Sequence, residues 1–121
     1  MSGRRLRVLL IEDEAITAVM TELGLRQLHY EVSGVASSVE AGIAAARENG
    51  FDVAVLDLKL RGRLAYPVAE ELARQRIPFV VASAYAVAEN APEALRRAPY
   101  VPKPYGVPHL HQAVAAALAA I

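Results

Sequence analysis

The feature that most constrains this sequence is a repeated alternation of short apolar runs with longer amphipathic segments. The runs have the length of strands and are apolar almost throughout, which is typical of strands covered on both faces. Strands are predicted over residues 7–11, 31–36, 53–56, 79–82 and 100–102, and helices over 15–28, 38–48, 67–76, 109–121 and a short, irregular stretch within 86–98. Strands that alternate with helices indicate an α/β fold, a doubly wound parallel sheet with helices on both faces.

Local signals mark several helix ends. Ser37-Ser38-Val39-Glu40 has the form of a capping box, which predicts Ser37 as the N-cap of the second helix. Asn49-Gly50 is a natural end for that helix. The first helix carries apolar residues at helical spacing, which predicts the face that packs on the sheet: Ile16, Val19, Met20, Leu23 and Leu28.

Composition excludes several classes of protein. The 121 residues contain no cysteine, so disulfides, zinc–thiolate sites and thiol catalysis are ruled out. Thirteen basic residues balance thirteen acidic ones, which leaves no electrostatic footprint for nucleic acid. No apolar run approaches the ~18 residues of a membrane span, and no signal peptide precedes the first strand. We expect one cytoplasmic domain over residues 1–121, with neither DNA nor membrane as a partner.

Two rare residue types mark the ends of the predicted strands. Aspartate occurs three times and lysine twice, against ten glutamates and eleven arginines. Asp13 follows the first strand beside Glu12, Asp57 follows the third, Ser83 the fourth and Lys103 the fifth. Ligands of open parallel sheets bind beyond the carboxyl ends of the strands, so these side chains are expected to converge there.

The chemistry of this set points to phosphoryl transfer. Three converging carboxylates repel one another and raise one another's pKa values unless a cation lies among them. Hard oxygen ligands that leave room for water suit Mg²⁺. A carboxylate nucleophile, a metal, a lysine ammonium and a serine hydroxyl together make up a phosphoryl-transfer site.

These residues also carry a family resemblance, which extends along essentially the whole chain. Glu12-Asp13, Asp57, Ser83, Tyr100 and Lys103-Pro104 resemble the motif set of bacterial response-regulator receiver domains. The segment PFVVASAY at 78–85 is similar to the P-F-x-F-A-T-G-Y signature of the largely single-domain FAT GUY subgroup. The resemblance implies a flavodoxin-like (βα)5 three-layer sandwich with strand order 2-1-3-4-5, and a receiver without an output domain.

The resemblance further implies a role for each carboxylate. Asp57 would accept a phosphoryl group from a histidine kinase or a histidine phosphotransferase. Glu12, Asp13, Asp57 and the backbone carbonyl of Lys59 would hold Mg²⁺. Such a domain assists its own phosphorylation and dephosphorylation, but it is not an enzyme acting on a separate substrate.

The remaining motif residues would bind and report the phosphoryl group. Ser83 and Lys103 would contact its oxygens, and Tyr100 would turn inward as a switch when Ser83 moves. Lys103 and Pro104 would be joined by a cis peptide bond. The expected output is altered binding of a downstream protein by a monomer or weak dimer.

Some positions depart from the family pattern, and other functions compete. Ala84 replaces a glycine of the subgroup signature, and Arg61 replaces the proline common four residues after the phosphoacceptor. Lys59 and Arg61 add two cations beside Asp57, which could favour phosphoryl binding or obstruct water. A receiver-fold interaction module that is never phosphorylated is one alternative. A small aspartyl-nucleophile phosphatase is another, although Lys59 stands where it would have a second aspartate.

Overall fold

The computed structural model describes residues 5–120, and the predicted alternation of strands and helices is present. In chain order the elements are β1 (Arg7–Ile11), α1 (Ala15–Gln27), β2 (Glu31–Ala36), α2 (Val39–Glu48), β3 (Val53–Leu56), β4 (Lys59–Leu60), β5 (Arg63–Leu64), α3 (Tyr66–Arg74), β6 (Phe79–Ser83), α4 (Glu93–Arg97), β7 (Tyr100–Pro102) and α5 (Val107–Ala119). The predicted end of the last helix at residue 121 lies outside the described residues.

The main sheet has five parallel strands in the order β2-β1-β3-β6-β7. Numbered by the five main strands alone, this is the predicted order 2-1-3-4-5, so the doubly wound flavodoxin-like fold is confirmed. The central strand β3 is buried throughout, because helices cover both of its faces. Sequence order reverses between β1 and β3, and this is where such sheets bind ligands.

The two faces of the sheet carry separate apolar cores. Side chains alternate along a strand, so Leu9 and Ile11 of β1 enter one core while Val8 and Leu10 enter the other. The first core includes Val68 of α3 and residues of α2 and α4, and the second includes residues of α1 and α5. These two packed layers fix the strand ends that carry the site.

The face of α1 that packs on the sheet differs from the prediction. Ile16, Val19, Met20 and Leu23 are 77%, 57%, 64% and 52% exposed, and the buried residues of α1 are Thr21, Gly24 and Leu25. Gly24 lies close to α5, since a Cβ built there would be 3.4 Å from Val107. The face that carries Gly24 and Leu25 therefore packs inward, and the apolar stripe faces outward.

Sequence reasoning missed a short hairpin and misplaced one cap. Strands β4 and β5 pair antiparallel between β3 and α3. Arg61 and Gly62 have φ of 52° and 79°, the left-handed values that a two-residue hairpin turn requires. The N-cap of α2 is Ser38, whose Oγ accepts from the N–H of Ala41 at 3.1 Å, and not Ser37 as predicted. Oγ of Ser37 instead accepts a hydrogen bond from the guanidinium of Arg61.

Within residues 5–120, no helix is both long and apolar enough to cross a membrane.

Candidate functional site

Three carboxylates meet at the carboxyl ends of β1 and β3. Ile11 and Leu56 are register partners, so the residues that follow them, Glu12 and Asp57, are brought side by side. Glu12, Asp13 and Asp57 each offer an oxygen, and these oxygens lie within 4.8 Å of one another. Glu12 is 4% exposed and Asp57 is 8% exposed, so both carboxylates have lost most of their water.

Lys103 reaches two of the carboxylates from the end of β7. Its Nζ lies 2.7 Å from Oε1 of Glu12 and 2.9 Å from Oδ2 of Asp57. The backbone N–H of Lys103 donates to the carbonyl of Ser83 at 2.9 Å, and the peptide bond between Lys103 and Pro104 is cis. The two rare residue types are thus in direct contact, as the strand-end positions predict.

The cluster contains more negative than positive charge. Burial raises the pKa of Glu12, and the nearby charge of Asp57 raises it further against the opposing bonds from Lys103 and Glu14. Burial works to lower the pKa of Lys103, but its bonds to Glu12 and Asp57 outweigh burial and raise it. Among the described residues, the ion pairs of these three carboxylates all go to Lys103. Lys103 pairs with two of the three carboxylates, Glu12 and Asp57, so the cluster has capacity for a further cation.

The donor set fits Mg²⁺. Carboxylate oxygens are hard ligands, and Mg²⁺ is bound through a few of them with water completing its coordination. Asp13 is less buried than Glu12 and Asp57, so it extends the cluster towards solvent. Lys59 lies beside the site, with its backbone N–H 3.4 Å from Oδ1 of Asp57. Its ammonium lies 4.6 Å from the centroid of the Tyr85 ring.

Ser83 and Tyr100 are connected through the segment after β6. Ser83 is fully buried, and its Oγ accepts from the N–H of Tyr85 at 3.1 Å. The hydroxyl of Tyr100 donates to the carbonyls of Ser83 and Tyr85 at 3.1 and 3.0 Å. Tyr100 is 38% exposed, so its ring lies at the surface and is bonded to backbone.

Arg61 contributes to the site through two contacts that the sequence does not indicate. The backbone N–H of Arg61 donates to Oδ2 of Asp13 at 2.8 Å, and its guanidinium donates to Oγ of Ser37 at 3.1 Å. The available signal was Arg61-Gly62 between short runs of alternating polarity, which is a weak hairpin pattern. The capping-box pattern predicts Ser37 as a helix cap, and no local pattern indicates its bond to Arg61.

An apolar groove of about 680 Å³ lies beside the site, between α1 and the segment that leads into α5. Ile16 and Met20 line one wall, while Lys103 and Pro104 join the groove to the carboxylate cluster. Tyr105 crosses the groove, and its hydroxyl is 2.5 Å from that of Thr21. Burial raises the pKa of the Tyr105 hydroxyl above its ordinary value of 10.0.

Comparison with known proteins identifies the family. The family described as "Response regulator receiver domain" matches residues 8–115, which include every residue of the cluster. The chain belongs to this family. Receiver domains are modules of two-component response regulators, and they are in general signalling modules rather than enzymes.

Curated relatives of this receiver domain include the transcriptional regulatory protein PdtaR of Mycobacterium tuberculosis. It is 32% identical over 112 residues, which cover 89% of this chain and 54% of PdtaR. The chain therefore spans about half the length of the curated relatives it matches.

Solved receiver structures match over almost the whole chain. The solution structure of SdrG from Sphingomonas melonis Fr1 is 34% identical, with a TM-score of 0.80 and coverage of 98% of this chain and 99% of that one. The receiver domain of the sensor histidine kinase PA1611 from Pseudomonas aeruginosa PAO1 shares the fold at 20% identity, with a TM-score of 0.82 and coverage of 96% and 99%. The likeness to the FAT GUY subgroup stays a prediction.

Proposed function

We propose that this receiver domain is controlled by phosphorylation of Asp57 and signals through altered protein binding. The observation that carries the proposal is the position of Lys103, bonded to both Asp57 and Glu12 while Asp13 completes a carboxylate cluster. A cluster built only for stability would balance its charges, whereas this one retains an excess of negative charge. That excess is what a divalent cation and an incoming phosphoryl group need.

The transfer step uses Asp57 as nucleophile. A carboxylate oxygen of Asp57 forms a bond to phosphorus while the bond from phosphorus to the donor's imidazole nitrogen breaks. The imidazole leaves with that electron pair. Lys103 lies 2.9 Å from Oδ2 of Asp57, so it is placed to hold negative charge that develops on the phosphoryl oxygens. Because its pKa is raised, it stays protonated through the step.

Glu12, Asp13, Asp57 and the backbone carbonyl of Lys59 are the residues we propose to hold Mg²⁺. When bound, the ion neutralises charge on the transferring phosphoryl group. Glu12 is the deepest of the three carboxylates, and burial penalises its negative charge. The solved receiver domain of PA1611 has magnesium coordinated in its active-site cleft, which supports the same cofactor here.

Ser83 and Tyr100 would convert phosphorylation into a change of surface. Ser83 Oγ accepts from the N–H of Tyr85 and can donate its own proton to a phosphoryl oxygen, so a move of Ser83 towards that oxygen would draw the segment at Tyr85 with it. That move shifts the backbone of the segment that accepts both hydrogen bonds from Tyr100. Tyr100 then loses its two surface partners and turns inward, so the face formed by α4, β7 and α5 changes. SdrG has been solved in a BeF3-activated conformation, and the same switch is proposed for this chain.

The outward apolar face of α1 supports a protein as phosphodonor. Ile16 and Met20 are more than half exposed and line the groove that ends at Lys103. Contiguous apolar surface beside a site is typical of a protein-binding surface. A histidine on a helix of a kinase or phosphotransferase could reach Asp57 while a neighbouring turn of that helix packs on α1.

The test is a mass measurement on intact protein. With Mg²⁺ and a small phosphodonor such as phosphoramidate, the wild-type chain should gain about 80 Da. Asp57→Asn should gain nothing. The matched control is Asp52→Asn, because Asp52 precedes β3 and bonds to the backbone N–H of Arg7 at the far end of the sheet. A wild-type chain that gains no mass from the donor or from cognate kinases would instead favour the module that is never phosphorylated.

The proposed output is contact with a downstream protein by a monomer or weak dimer. The balanced charge of the chain supports this, since it offers no electrostatic attraction for DNA. The transcriptional role in the name of PdtaR belongs to a longer protein and is not transferred. A stand-alone receiver over residues 1–121 and a cytoplasmic location stay predictions.

A further inference from the structure

We propose that the β4–β5 hairpin is a brace for the metal ligand Asp13, with Arg61 and Ser37 as positioning residues for Mg²⁺. The inference rests on the proposed function, because it concerns the same metal site. It assigns a role to Arg61, which the sequence left open between favouring phosphoryl binding and obstructing water. In this account Arg61 acts on the metal ligand and not on the phosphoryl group.

The first link is a bond from the turn of the hairpin to Asp13. The backbone N–H of Arg61 donates to Oδ2 of Asp13 at 2.8 Å, across 48 positions of sequence. This bond occupies one oxygen and limits rotation of the carboxylate, so the other oxygen keeps a fixed direction. Partners of this kind orient metal ligands and contribute to metal affinity.

The second link ties the turn to the segment that carries Glu12. The guanidinium of Arg61 donates to Oγ of Ser37 at 3.1 Å. Ser37 directly follows Ala36, whose carbonyl accepts the N–H of Glu12 at 2.9 Å. The tip of the hairpin is therefore anchored beside a second metal ligand, and its position relative to the cluster is set by a side-chain bond as well as by the turn.

The backbone of Arg61 shows that this arrangement is maintained at a cost. Its φ of 52° is left-handed, a conformation that is strained for a residue with a side chain. The two-residue turn between β4 and β5 requires this conformation. Glycine would adopt this conformation without strain. The residue is nevertheless an arginine, and its guanidinium donates to Oγ of Ser37.

Two effects of Arg61 on Mg²⁺ oppose each other, and the chain offers variants that separate them. The positive charge of Arg61 repels a cation, so removing it should tighten binding if charge dominates. The brace predicts weaker binding. Ser37→Ala breaks the same bond without changing any charge. Arg63→Ala removes an equal charge from the same hairpin, but its ion pair is with Glu40 at the start of α2 and not with the metal site.

The experiment is a titration of the whole chain with Mg²⁺ alone, followed through backbone amide NMR shifts. Arg61→Ala and Ser37→Ala should each raise the Kd for Mg²⁺ about tenfold. The double variant should bind no more weakly than Arg61→Ala, since both changes break one bond. Arg63→Ala should keep the wild-type Kd. Spectra without metal show that each variant is folded.

Three results would overturn the brace. If Arg61→Ala binds Mg²⁺ more tightly than the wild type and Ser37→Ala binds it with the wild-type Kd, only the charge of Arg61 affects the metal. If Arg61→Ala and Arg63→Ala lose Mg²⁺ affinity equally, only the stability of the hairpin affects the metal site. Wild-type affinity in both brace variants would remove the role altogether. A wild-type chain with no saturable response to Mg²⁺ would instead contradict the proposed function, and the brace with it.

Discussion

Two buried glutamates of this receiver domain have opposite surroundings. Glu12 shares its site with Asp13 and Asp57 against the single ammonium of Lys103, and its pKa is raised, chiefly by burial. Glu71 on α3 is also buried, and its pKa is lowered, chiefly by a hydrogen bond from Gln75 and then by Arg74 and Arg47.

The difference separates a functional carboxylate from a structural one. At Glu71 cations outnumber carboxylates, with bonds of 2.6 Å from Arg74 and 2.9 Å from Gln75, so the charge is satisfied within the chain. At Glu12 the chain leaves negative charge uncompensated. A site that needs an external ion gives up some stability without it, as functional sites commonly do. Substitutions in the two clusters test this distinction.

The largest effect on the phosphorylation rate is expected when the cation of the Glu12 cluster is removed. Lys103→Met should lower the rate of phosphorylation by a small phosphodonor by about 100-fold, because the transferring group loses its fixed positive charge. Arg74→Met removes a cation from the Glu71 cluster and should leave that rate unchanged. The rate of mass gain measures both. Wild-type rates in Lys103→Met would contradict the role assigned to it.

Neutralising each glutamate should change stability in opposite directions. In EDTA, Glu12→Gln should raise the free energy of unfolding, because ionised Glu12 is penalised in the folded chain. Glu71→Gln should lower it, because ionised Glu71 is favoured there. Urea denaturation measures both. Mg²⁺ at ten times its Kd should add about 1.4 kcal/mol to the wild type and to Glu71→Gln, but less to Glu12→Gln. Changes of the same sign would show that the two clusters do not differ as described.

The Glu71 contribution should also depend on pH. A carboxyl whose pKa is lowered on folding stabilises the fold above its ordinary value of 4.5, and this contribution is lost as pH falls through the lower folded value. The gap in unfolding free energy between wild type and Glu71→Gln should therefore be constant near neutral pH and shrink below pH 4.5. A gap that persists in strong acid would mean that Glu71 acts through packing and not through charge.

The smallest effect is expected from replacing the arginine with left-handed backbone conformation that lies beside each cluster. Arg76 follows Gln75 with φ of 60°, and Arg61 has φ of 52°. Arg76→Gly should raise the free energy of unfolding by about 0.5–1 kcal/mol, because glycine adopts this conformation without strain. Its Mg²⁺ affinity should stay at the wild-type value. Arg61→Gly relieves the same strain, but we expect it to weaken Mg²⁺ binding because the bond to Ser37 is lost. Equal Mg²⁺ affinity in the two variants would contradict the brace.

The sequence pattern was sufficient to predict the five main strands and the residues that follow them, and the family resemblance supplied their order in the sheet. Val53–Leu56 and Tyr100–Pro102 were predicted with their observed bounds, because apolar runs of strand length are local patterns. The meeting of Glu12, Asp57 and Lys103 followed from the rule that parallel strands end at one edge. These features depend on short-range chemistry and on a general topology, and both can be read along the chain.

Only the tertiary structure decided which partner each remaining polar group has. The capping-box pattern favours Ser37 as the cap, yet the fold gives the cap to Ser38 and leaves Ser37 for Arg61. The stripe on α1 predicted burial, yet the fold buries the face of Thr21, Gly24 and Leu25, where α5 approaches closely at Gly24. Arg61 meets Asp13, and Arg47 meets Glu71, across long stretches of sequence. No local pattern encodes such contacts, because they depend on how packed elements align in three dimensions.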